Sequence, residues 1–370
     1  MKCRGAVLRN DDTWDVLDVE LDDPKAGEVL VRFEYAGLCH SDVHFRRSYS
    51  GMPPLVAGHE GSGVVEAVGR DVTRVATGDH VVVFVVPSCG GCRWCSVGRP
   101  VLCSTLSNPD TGSLRDGTVR FRLEGRPIGA HCMLGTFARR SVVLEESCVR
   151  IDPDVPLDVA ALVSCGVVTG WGAVVHAGGA KVGDTVAVIG VGGVGINAVQ
   201  AAVLTGARNI IAVDPVELKR TAAARLGATH QVRTITDARH VVRSLNPSAG
   251  GADVTVVATG STSEEILSGA FDLTGKGGTM VVVALNDDFD ERTMRLAPSQ
   301  LAVNEKRIQG CLMGSANYVY DIPMILDFYR SGRFQLDKLV SRHYELEQIN
   351  QGFADMLAGR SMRGLIAHSD

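Results

Sequence analysis

Four cysteines lie close together in the segment PSCGGCRWCSVGRPVLC, spaced C-x2-C-x2-C-x7-C, and they are Cys89, Cys92, Cys95 and Cys103. Four thiolates can close a tetrahedral site around Zn²⁺ that leaves no open position. The spacing differs from that of a zinc ribbon, and the residue types also permit an iron–sulfur cluster or unligated thiols. We expect a structural zinc, which would stabilise this loop and perform no chemistry.

A second set of candidate ligands is spread over the segments GLCHSDVH, AGHEGSG and VSCGVVTGWG, which supply Cys39, His59 and Cys165. Two thiolates and one imidazole leave the fourth position of a zinc ion open, as catalysis requires. Zn²⁺ stabilises the alkoxide of a bound alcohol, and an alkoxide readily gives up a hydride. Each of these residues taken singly could instead be a buried core side chain.

A glycine-rich segment, GVGGVG, fits the pattern G-x-G-x-x-G through Gly190, Gly192, Gly193 and Gly195. The segment follows an apolar run, Val186–Ile189, and opens a helical pattern. Such glycines let the backbone approach a pyrophosphate at the positive end of the helix. The context therefore predicts a dinucleotide site, and the alternative is a glycine-rich turn in a domain that binds no nucleotide.

The next apolar run ends in Asp214, nineteen residues after Gly195. A carboxylate at this point accepts hydrogen bonds from the adenosine ribose hydroxyls and repels a 2′-phosphate. Pro215 and Val216 supply no compensating cation. We therefore expect NAD rather than NADP.

Length and composition limit the class of protein. The chain has 370 residues, 45% of them hydrophobic, and a net charge of −5. This length favours two domains, and the mild acidity offers no broad basic surface for nucleic acid or anionic lipid. We find neither the apolar region of a signal peptide nor an apolar run long enough to span a membrane. We expect a soluble cytoplasmic protein.

The secondary-structure elements that must position these residues follow two different sequence patterns. Short β segments such as Glu28–Gly37, Gly61–Gly69 and Gly78–Val86 occupy the first 85 residues, and residues 104–127 read as a long surface loop or hairpin. From about Lys181 onward, apolar runs alternate with helical patterns. That alternation predicts right-handed βαβ units and a parallel sheet, which is an α/β fold.

The motifs together resemble the zinc-dependent alcohol dehydrogenases of the medium-chain dehydrogenase/reductase superfamily. GHEGSG, the four-cysteine lobe and GVGGVG occur in that family's order and approximate spacing, over essentially the whole chain. The resemblance implies a Rossmann doubly wound sheet inserted into a chaperonin-like (GroES-like) β catalytic domain. The catalytic domain would comprise residues 1–168 and 315–370 and the NAD domain residues 169–314, with cofactor and zinc meeting in a cleft between them.

The resemblance also implies roles for residues around the catalytic zinc, where Cys39, His59 and Cys165 match the ligands. Ser41 matches the hydroxyl that takes the alcohol proton, and His44 matches the solvent end of a proton relay. Asp42 resembles the carboxylate that orients the ligand histidine, and Glu60 matches a carboxylate behind the zinc.

Further positions match cofactor contacts in the family. Thr169 and Val194 match residues packed near the nicotinamide, Lys219 belongs to the cofactor-binding set, and Arg363 matches an arginine on the pyrophosphate. His40 stands where several relatives carry arginine, which weakens one phosphate contact.

Two finer resemblances bear on function. The long segment after Cys103 is similar to that of the class III-like branch, and PSCGGC, MLGTF, DPVELKR and YELEQINQGF resemble actinobacterial nicotinoprotein (nitrosoaniline-dependent) alcohol dehydrogenases. Those enzymes retain NAD and are reoxidised in place by an artificial acceptor or a redox partner. A homodimer or homotetramer is implied.

Two alternatives remain open from the sequence. One is a class III-like dehydrogenase of a formaldehyde thiol adduct, in which Arg115, Arg120, Arg122 and Arg126 would meet an anionic thiol carrier. The other is a non-catalytic protein that binds zinc and nucleotide. Val85, Met133 and Leu134 are expected to line an apolar substrate pocket, whereas His131 and the remaining histidines are assigned no function.

Overall fold

The computed structural model describes residues 1–9, 13–48, 53–105, 111–286 and 294–369. The chain divides into two compact units, which we call unit 1 (Met1–Cys165 and Asn317–Asp370) and unit 2 (Gly166–Ala316). The predicted domain limits at residues 168/169 and 314/315 lie within three residues of this division. Part of the polar segment after Cys103, residues 106–110, lies outside the described residues.

The strands of the described chain are, in order, β1 Lys2–Leu8, β2 Trp14–Leu21, β3 Glu28–Gly37, β4 Leu55–Val56, β5 Gly61–Val68, β6 His80–Val83, β7 Phe121–Leu123, β8 Arg126–Ala130, β9 Arg140–Leu144, β10 Cys148–Arg150, β11 Thr185–Ile189, β12 Asn209–Val213, β13 His230–Val232, β14 Ala252–Val257, β15 Thr274–Val282, β16 Arg307–Gly310, β17 Val340–Tyr344 and β18 Arg363–Ala367.

The α-helices are α1 His40–Ser48, α2 Arg93–Ser96, α3 Leu157–Leu162, α4 Val168–Gly172, α5 Gly195–Leu204, α6 Glu217–Arg225, α7 Ile235–Leu245, α8 Glu264–Leu273, α9 Pro298–Val303, α10 Tyr318–Arg330 and α11 Ile349–Leu357. Two π-helical segments, Val163–Val167 and Ala173–Ala177, interrupt the stretch that contains α3 and α4.

Unit 1 is built from β-sheet. Five strands close a barrel in the order β1-β2-β7-β8-β4, and a second sheet runs β10-β6-β5-β3-β18-β17 with β9 paired to β3. Strand β3 lies inside this second sheet, between β5 and β18, and both of its faces are buried. Val31 and Phe33 belong to one apolar cluster, whereas Leu30 belongs to another. The carboxyl end of β3 leads directly into α1, so a rigid strand places the first candidate site residues.

Unit 2 contains a six-stranded sheet in the order β13-β12-β11-β14-β15-β16, and every pairing in it is parallel. Numbered within the unit, this is the order 3-2-1-4-5-6 of the Rossmann fold. The central strand β11 is buried along its whole length, as helices on both faces of a parallel sheet require. The predicted fold class is confirmed.

One helical stretch is long and apolar enough to cross a membrane by length and composition alone. It is Leu157–Ala177, 21 residues with a mean hydropathy of 1.7 in its most apolar window. That window is 89% buried inside the protein, as in the core helix of a soluble protein.

Candidate active site

The first candidate residues follow β3 on a tight turn into α1. Asp42 is fully buried and closes this turn, because the backbone amide of Cys39 donates to its Oδ2 over 3.3 Å. Ser41 Oγ lies 3.6 Å from the sulfur of Cys39. One short segment therefore presents a thiol, a hydroxyl and a buried carboxylate.

His59 reaches the same place from the loop between β4 and β5. Gly58 precedes it with φ +91°, and a Cβ there would lie 2.6 Å from both the Phe137 amide and Thr136 Oγ1, so only glycine fits. The Nδ1 atom of His59 lies 2.8 Å from Asp42 Oδ1. The carboxylate thus fixes the ring and directs Nε2 away from itself.

Cys165 completes the cluster from the π-helical segment Val163–Val167, a kind of local widening that often occurs at functional sites. The ligand atoms of Cys39, His59, Glu60 and Cys165 all lie within 4.8 Å of one another, and all four side chains are buried. His59 Nε2 is buried and has no hydrogen-bond partner among the described residues.

The electrostatics of this cluster suit a cation. A hydrogen bond from Cys165, aided by His59, holds the pKa of Cys39 well below its usual range although burial opposes it. The same hydrogen bond, together with burial, raises the pKa of Cys165. Two sulfurs that share a proton and an unpaired imidazole nitrogen form the donor set that Zn²⁺ prefers. The residues therefore fit a zinc ion.

Glu60 lies behind this cluster and is paired with Arg363, the first residue of β18. Both side chains are buried, and Glu60 Oε1 has no hydrogen-bond partner among the described residues. Burial raises the pKa of Glu60 to about 7, although the Arg363 guanidinium opposes this shift. The structure thus places Arg363 on Glu60, and its predicted contact with a pyrophosphate stays a prediction.

The four clustered cysteines also converge. Their sulfurs lie within 4.8 Å of one another, with Cys92 3.5 Å from Cys95 and 3.9 Å from Cys103. Backbone N–H groups, with that of Ser104 contributing most, lower the pKa of Cys92 to about 5, which favours the thiolate form that binds metal. Gly90 has φ +72°, so the turn inside the cluster depends on glycine.

The glycine-rich loop in unit 2 joins β11 to α5. Gly190 has φ +83°, and a Cβ on Gly195 would lie 1.9 Å from the Gly190 carbonyl oxygen. By contrast, a Cβ on Gly192 would meet nothing nearer than Lys219 Nζ at 3.8 Å. The loop therefore has an open backbone face with a cationic amine beside it, and this cradle fits a phosphate group.

Asp214 follows β12 and is buried. Its carboxylate accepts hydrogen bonds from the amides of Val191 at 3.0 Å and Val216 at 2.9 Å, so it also holds the glycine loop against the end of the sheet. Arg220 donates to the carbonyl oxygens of Asp214 and Pro215. The two residues directly after Asp214 carry no positive charge, so this cation in α6 was missed in the sequence.

The structure gives the surroundings of the other residues predicted for the cofactor and the proton relay, but it does not test their roles. Thr169 is buried in α4, Val194 caps the start of α5, and Gly193 accepts a hydrogen bond from Asn197. His44 is 8% exposed, so the predicted solvent end of the relay is itself buried, and the ring of His40 lies 5.7 Å from it.

Sequence reasoning missed His131, which was assigned no function. The residue is buried, its Nδ1 lies 3.2 Å from Asp42 Oδ1, and its ring meets His59 edge to face at 5.3 Å. Burial lowers its pKa, but the neighbouring Cys132 and Asp42 outweigh burial and raise it to about 9. No sequence motif indicates a role for His131, because the residue follows a strand and lies 89 positions away from Asp42 in the sequence.

The structure also bears on two other expectations. Met133 and Leu134 are buried in apolar clusters and Val85 packs against one of them, and their place in a substrate pocket stays a prediction. Three of the four loop arginines are engaged in ion pairs: Arg120 is buried against Glu28, Arg115 lies 2.6 Å from Glu146, and Arg122 lies 3.2 Å from Asp22.

Comparisons with known proteins agree with this geometry. Residues 25–153 match the alcohol dehydrogenase GroES-like domain, and residues 193–330 match the zinc-binding dehydrogenases. The chain is 43% identical to an NDMA-dependent alcohol dehydrogenase of Amycolatopsis methanolica over all of both chains. It is 34% identical to an alcohol dehydrogenase class-3 of Cereibacter sphaeroides, covering 99% of this chain and 100% of that one.

Among solved structures, benzyl alcohol dehydrogenase from Acinetobacter calcoaceticus superposes with a TM-score of 0.92 at 30% identity, and all of both chains is covered. The chain therefore belongs to the zinc-dependent alcohol dehydrogenases of the medium-chain dehydrogenase/reductase superfamily and is an oxidoreductase.

Proposed function

We propose that the chain oxidises an alcohol, or reduces the matching aldehyde or ketone, with a zinc ion held by Cys39, His59 and Cys165. The observation that carries this proposal is the buried His59 Nε2, which has no hydrogen-bond partner among the described residues although Nδ1 is fixed by Asp42. A buried imidazole nitrogen left without a partner is costly, and two buried thiols beside it make a metal ion the natural partner.

The residues around this site have different roles in the proposed reaction. A bound Zn²⁺ supplies a Lewis acid that acidifies an alcohol hydroxyl. Ser41 Oγ, 3.6 Å from the Cys39 sulfur, is the hydroxyl placed to accept that proton. We assign His44 to pass the proton onward, because histidine exchanges protons near neutral pH. Asp42 holds the ligand His59 in one tautomer.

Glu60 tunes the site from behind. Its carboxylate belongs to the same group of ligand atoms within 4.8 Å, yet one of its oxygens is paired with Arg363. We assign it to balance the charge at the back of the metal site rather than to act as a permanent ligand, since Arg363 competes for the carboxylate.

The hydride acceptor is NAD. The open backbone face at Gly192 with Lys219 beside it fits the pyrophosphate, and the buried Asp214 carboxylate at the end of β12 fits the ribose hydroxyls. Arg220 is bound to carbonyl oxygens and leaves Asp214 as the group that decides against a 2′-phosphate. Thr169, Val194 and Arg363 are proposed as further cofactor contacts.

Retention of NAD is the finer part of the proposal. The relative from Amycolatopsis methanolica is named as NDMA-dependent, and the chain shares 43% identity with it over its full length. We infer that NAD stays bound through the cycle and is reoxidised in place by an artificial acceptor or a redox partner. We further propose a cytoplasmic homodimer or homotetramer.

The formaldehyde thiol adduct is a weaker candidate for the substrate. Its recognition would need free cations on the loop after Cys103, but three of the four arginines there, Arg115, Arg120 and Arg122, are paired with a carboxylate, which leaves the exposed Arg126. An arginine already neutralised by an ion pair has little charge to offer an anionic carrier. The chain length and branching of the alcohol are left to experiment.

Metal analysis of matched variants tests the two zinc sites. The wild type should hold two zinc ions per chain. Cys39→Ala should lose one of them and all turnover while keeping its melting temperature nearly unchanged. Cys95→Ala should lose the other and melt at a lower temperature, because zinc binding at a closed site is coupled to folding. One zinc ion in the wild type, or full activity in Cys39→Ala, would contradict the assignment.

The absorbance near 340 nm of gel-filtered protein tests the cofactor. If NAD is retained, an alcohol substrate added without free NAD should produce the NADH band, and an artificial acceptor should remove it. Protein that emerges free of nicotinamide and saturates normally with added NAD would remove retention and leave the zinc dehydrogenase proposal standing.

A further inference from the structure

His131 lies at the back of the proposed metal site, behind Asp42. It follows β8 as the first residue of a short 3₁₀ turn, His131–Met133, and is 5% exposed. None of the roles carried over from the family involves it, and its contacts connect it to the metal ligand His59 only through Asp42 and an edge-to-face ring contact.

The Asp42 carboxylate is shared by two imidazoles. Its Oδ1 lies 2.8 Å from His59 Nδ1 and 3.2 Å from His131 Nδ1, while its Oδ2 accepts from the Cys39 amide. A carboxylate oxygen has two lone pairs and can accept two N–H groups. A fully buried carboxylate also needs such donors, because burial without them is costly.

The Nδ1 atom of His131 is within ion-pair distance of the Asp42 carboxylate. This buried nitrogen makes no aligned hydrogen bond with any described residue, and Asp42 Oδ1 is the carboxylate oxygen within ion-pair distance of it. Phe45 stacks on the ring with centroids 4.0 Å apart and planes at 21°, which fixes the ring plane. Packing thus holds this nitrogen beside the Asp42 carboxylate.

The backbone after His131 is held in an unusual conformation. Cys132 and Met133 have φ values of +53° and +61°, in the left-handed region that side chains other than glycine rarely adopt. Residues held in such strained conformations concentrate at functional sites. The His131 carbonyl oxygen anchors the turn by accepting from the amides of Leu134 and Gly135.

We infer that His131 is a positioning residue that holds the Asp42 carboxylate and, through it, the metal-binding ring of His59. It acts as an N–H donor to a carboxylate whose other task is to orient a ligand. The inference rests on the proposed zinc role of Cys39, His59 and Cys165. Partners of this kind typically change metal affinity or activity by about 10- to 100-fold when removed.

Zinc release from the holoenzyme to a coloured chelator is the test, because it reports the site without turnover. His131→Phe keeps the stack on Phe45 and removes the donor, whereas His131→Asn places an amide N–H where Nδ1 was. In His131→Phe one zinc ion should leave about 10-fold faster or more, and the second, held by Cys89, Cys92, Cys95 and Cys103, should leave at its wild-type rate. His131→Asn should stay close to the wild type.

A second pair keeps the test independent of the aromatic ring. Leucine and asparagine have the same branching, so His131→Leu and His131→Asn differ mainly in the donor. With Co²⁺ in the catalytic site, the visible absorption of the leucine variant should shift and that of the asparagine variant should not.

Three outcomes would overturn the inference. Release of zinc from His131→Phe at the wild-type rate would remove the role of His131 and leave the proposed zinc site intact. Equal behaviour of the asparagine and leucine variants would assign the effect to packing. A wild type that holds zinc only at the four-cysteine cluster would overturn both this inference and the proposed function.

Discussion

The ion pair between Arg363 and Glu60 joins residues 303 positions apart and is fully enclosed, with side-chain exposures of 4% and 0%. Replacing Arg363 with methionine keeps much of the aliphatic stem and removes the charge. Glu60 would then remain buried beside the thiols of Cys39 and Cys165. Without Arg363 the carboxylate loses the guanidinium that is paired with it.

The expected loss is large. Removing one partner of a buried pair costs about 3–5 kcal/mol, because the other charge is left uncompensated. Unit 1 comprises Met1–Cys165 and Asn317–Asp370. For a unit of about 220 residues, each kcal/mol lowers the melting temperature by roughly 2–4 °C. We therefore expect Arg363→Met to lower it by about 6–20 °C.

Calorimetry at pH 8 measures this in protein whose Cys39–His59–Cys165 site has been emptied of zinc, so that the metal ion cannot replace the arginine, with Arg360→Met as the matched control. Arg360 lies three residues earlier and is paired with Asp355 at 2.7 Å, but its side chain is 58% exposed. Such a surface pair contributes about 1 kcal/mol or less. The double variant Glu60→Gln/Arg363→Met should recover part of the loss, since no unpaired charge remains.

The loss should also depend on pH. The folded-state pKa of Glu60 is raised by burial to about 7, above the ordinary value of 4.5, and removal of Arg363 raises it further. For a carboxyl with a raised pKa, full stability exists below the ordinary value and is lost as the pH rises through the folded value. The deficit of Arg363→Met should therefore be larger at pH 8 than at pH 6. A deficit no larger than that of Arg360→Met, or a double variant no better than the single one, would refute the reasoning.

Three further predictions follow from single side chains. Asp214→Ser should narrow the preference for NAD by about 2 kcal/mol, roughly thirtyfold in relative affinity, because it removes both the ribose contacts and the repulsion of a 2′-phosphate; equal use of NAD and NADP by the wild type would refute this. His44→Gln should keep both zinc ions and slow alcohol oxidation most at low pH, and loss of zinc would indicate a ligand instead. Burial lowers the pKa of His368 to about 4, below the ordinary value of 6.5, so the histidine of the unfolded chain is protonated first and the free energy of unfolding falls as the pH drops below 6.5. His368→Gln should remove roughly 1 kcal/mol of that loss of stability between pH 7.5 and 5.5. An unchanged dependence of stability on pH in this variant would contradict the prediction.

The sequence by itself determined the features that local geometry encodes. The spacing of Cys89, Cys92 and Cys95 allows few arrangements other than a shared site. The glycine segment before α5 required a backbone that only glycine adopts, and Gly190 and Gly195 show why. Strand β3 was predicted with the bounds that the structure gives, Glu28–Gly37, because Gly27, with φ +74°, turns the chain just before the apolar run begins.

Only the tertiary structure decided which side chains meet across long separations. His131 reaches Asp42 from 89 residues away, and Arg363 reaches Glu60 from 303 residues away. Met133, the last residue of the turn His131–Met133, and Leu134 after it are packed in apolar clusters instead. Nothing in the local sequence distinguishes a histidine packed in a core from one aimed at a carboxylate, since both are buried. The difference is set by how β3, β8 and β18 pair and turn, and that depends on packing over the whole of unit 1.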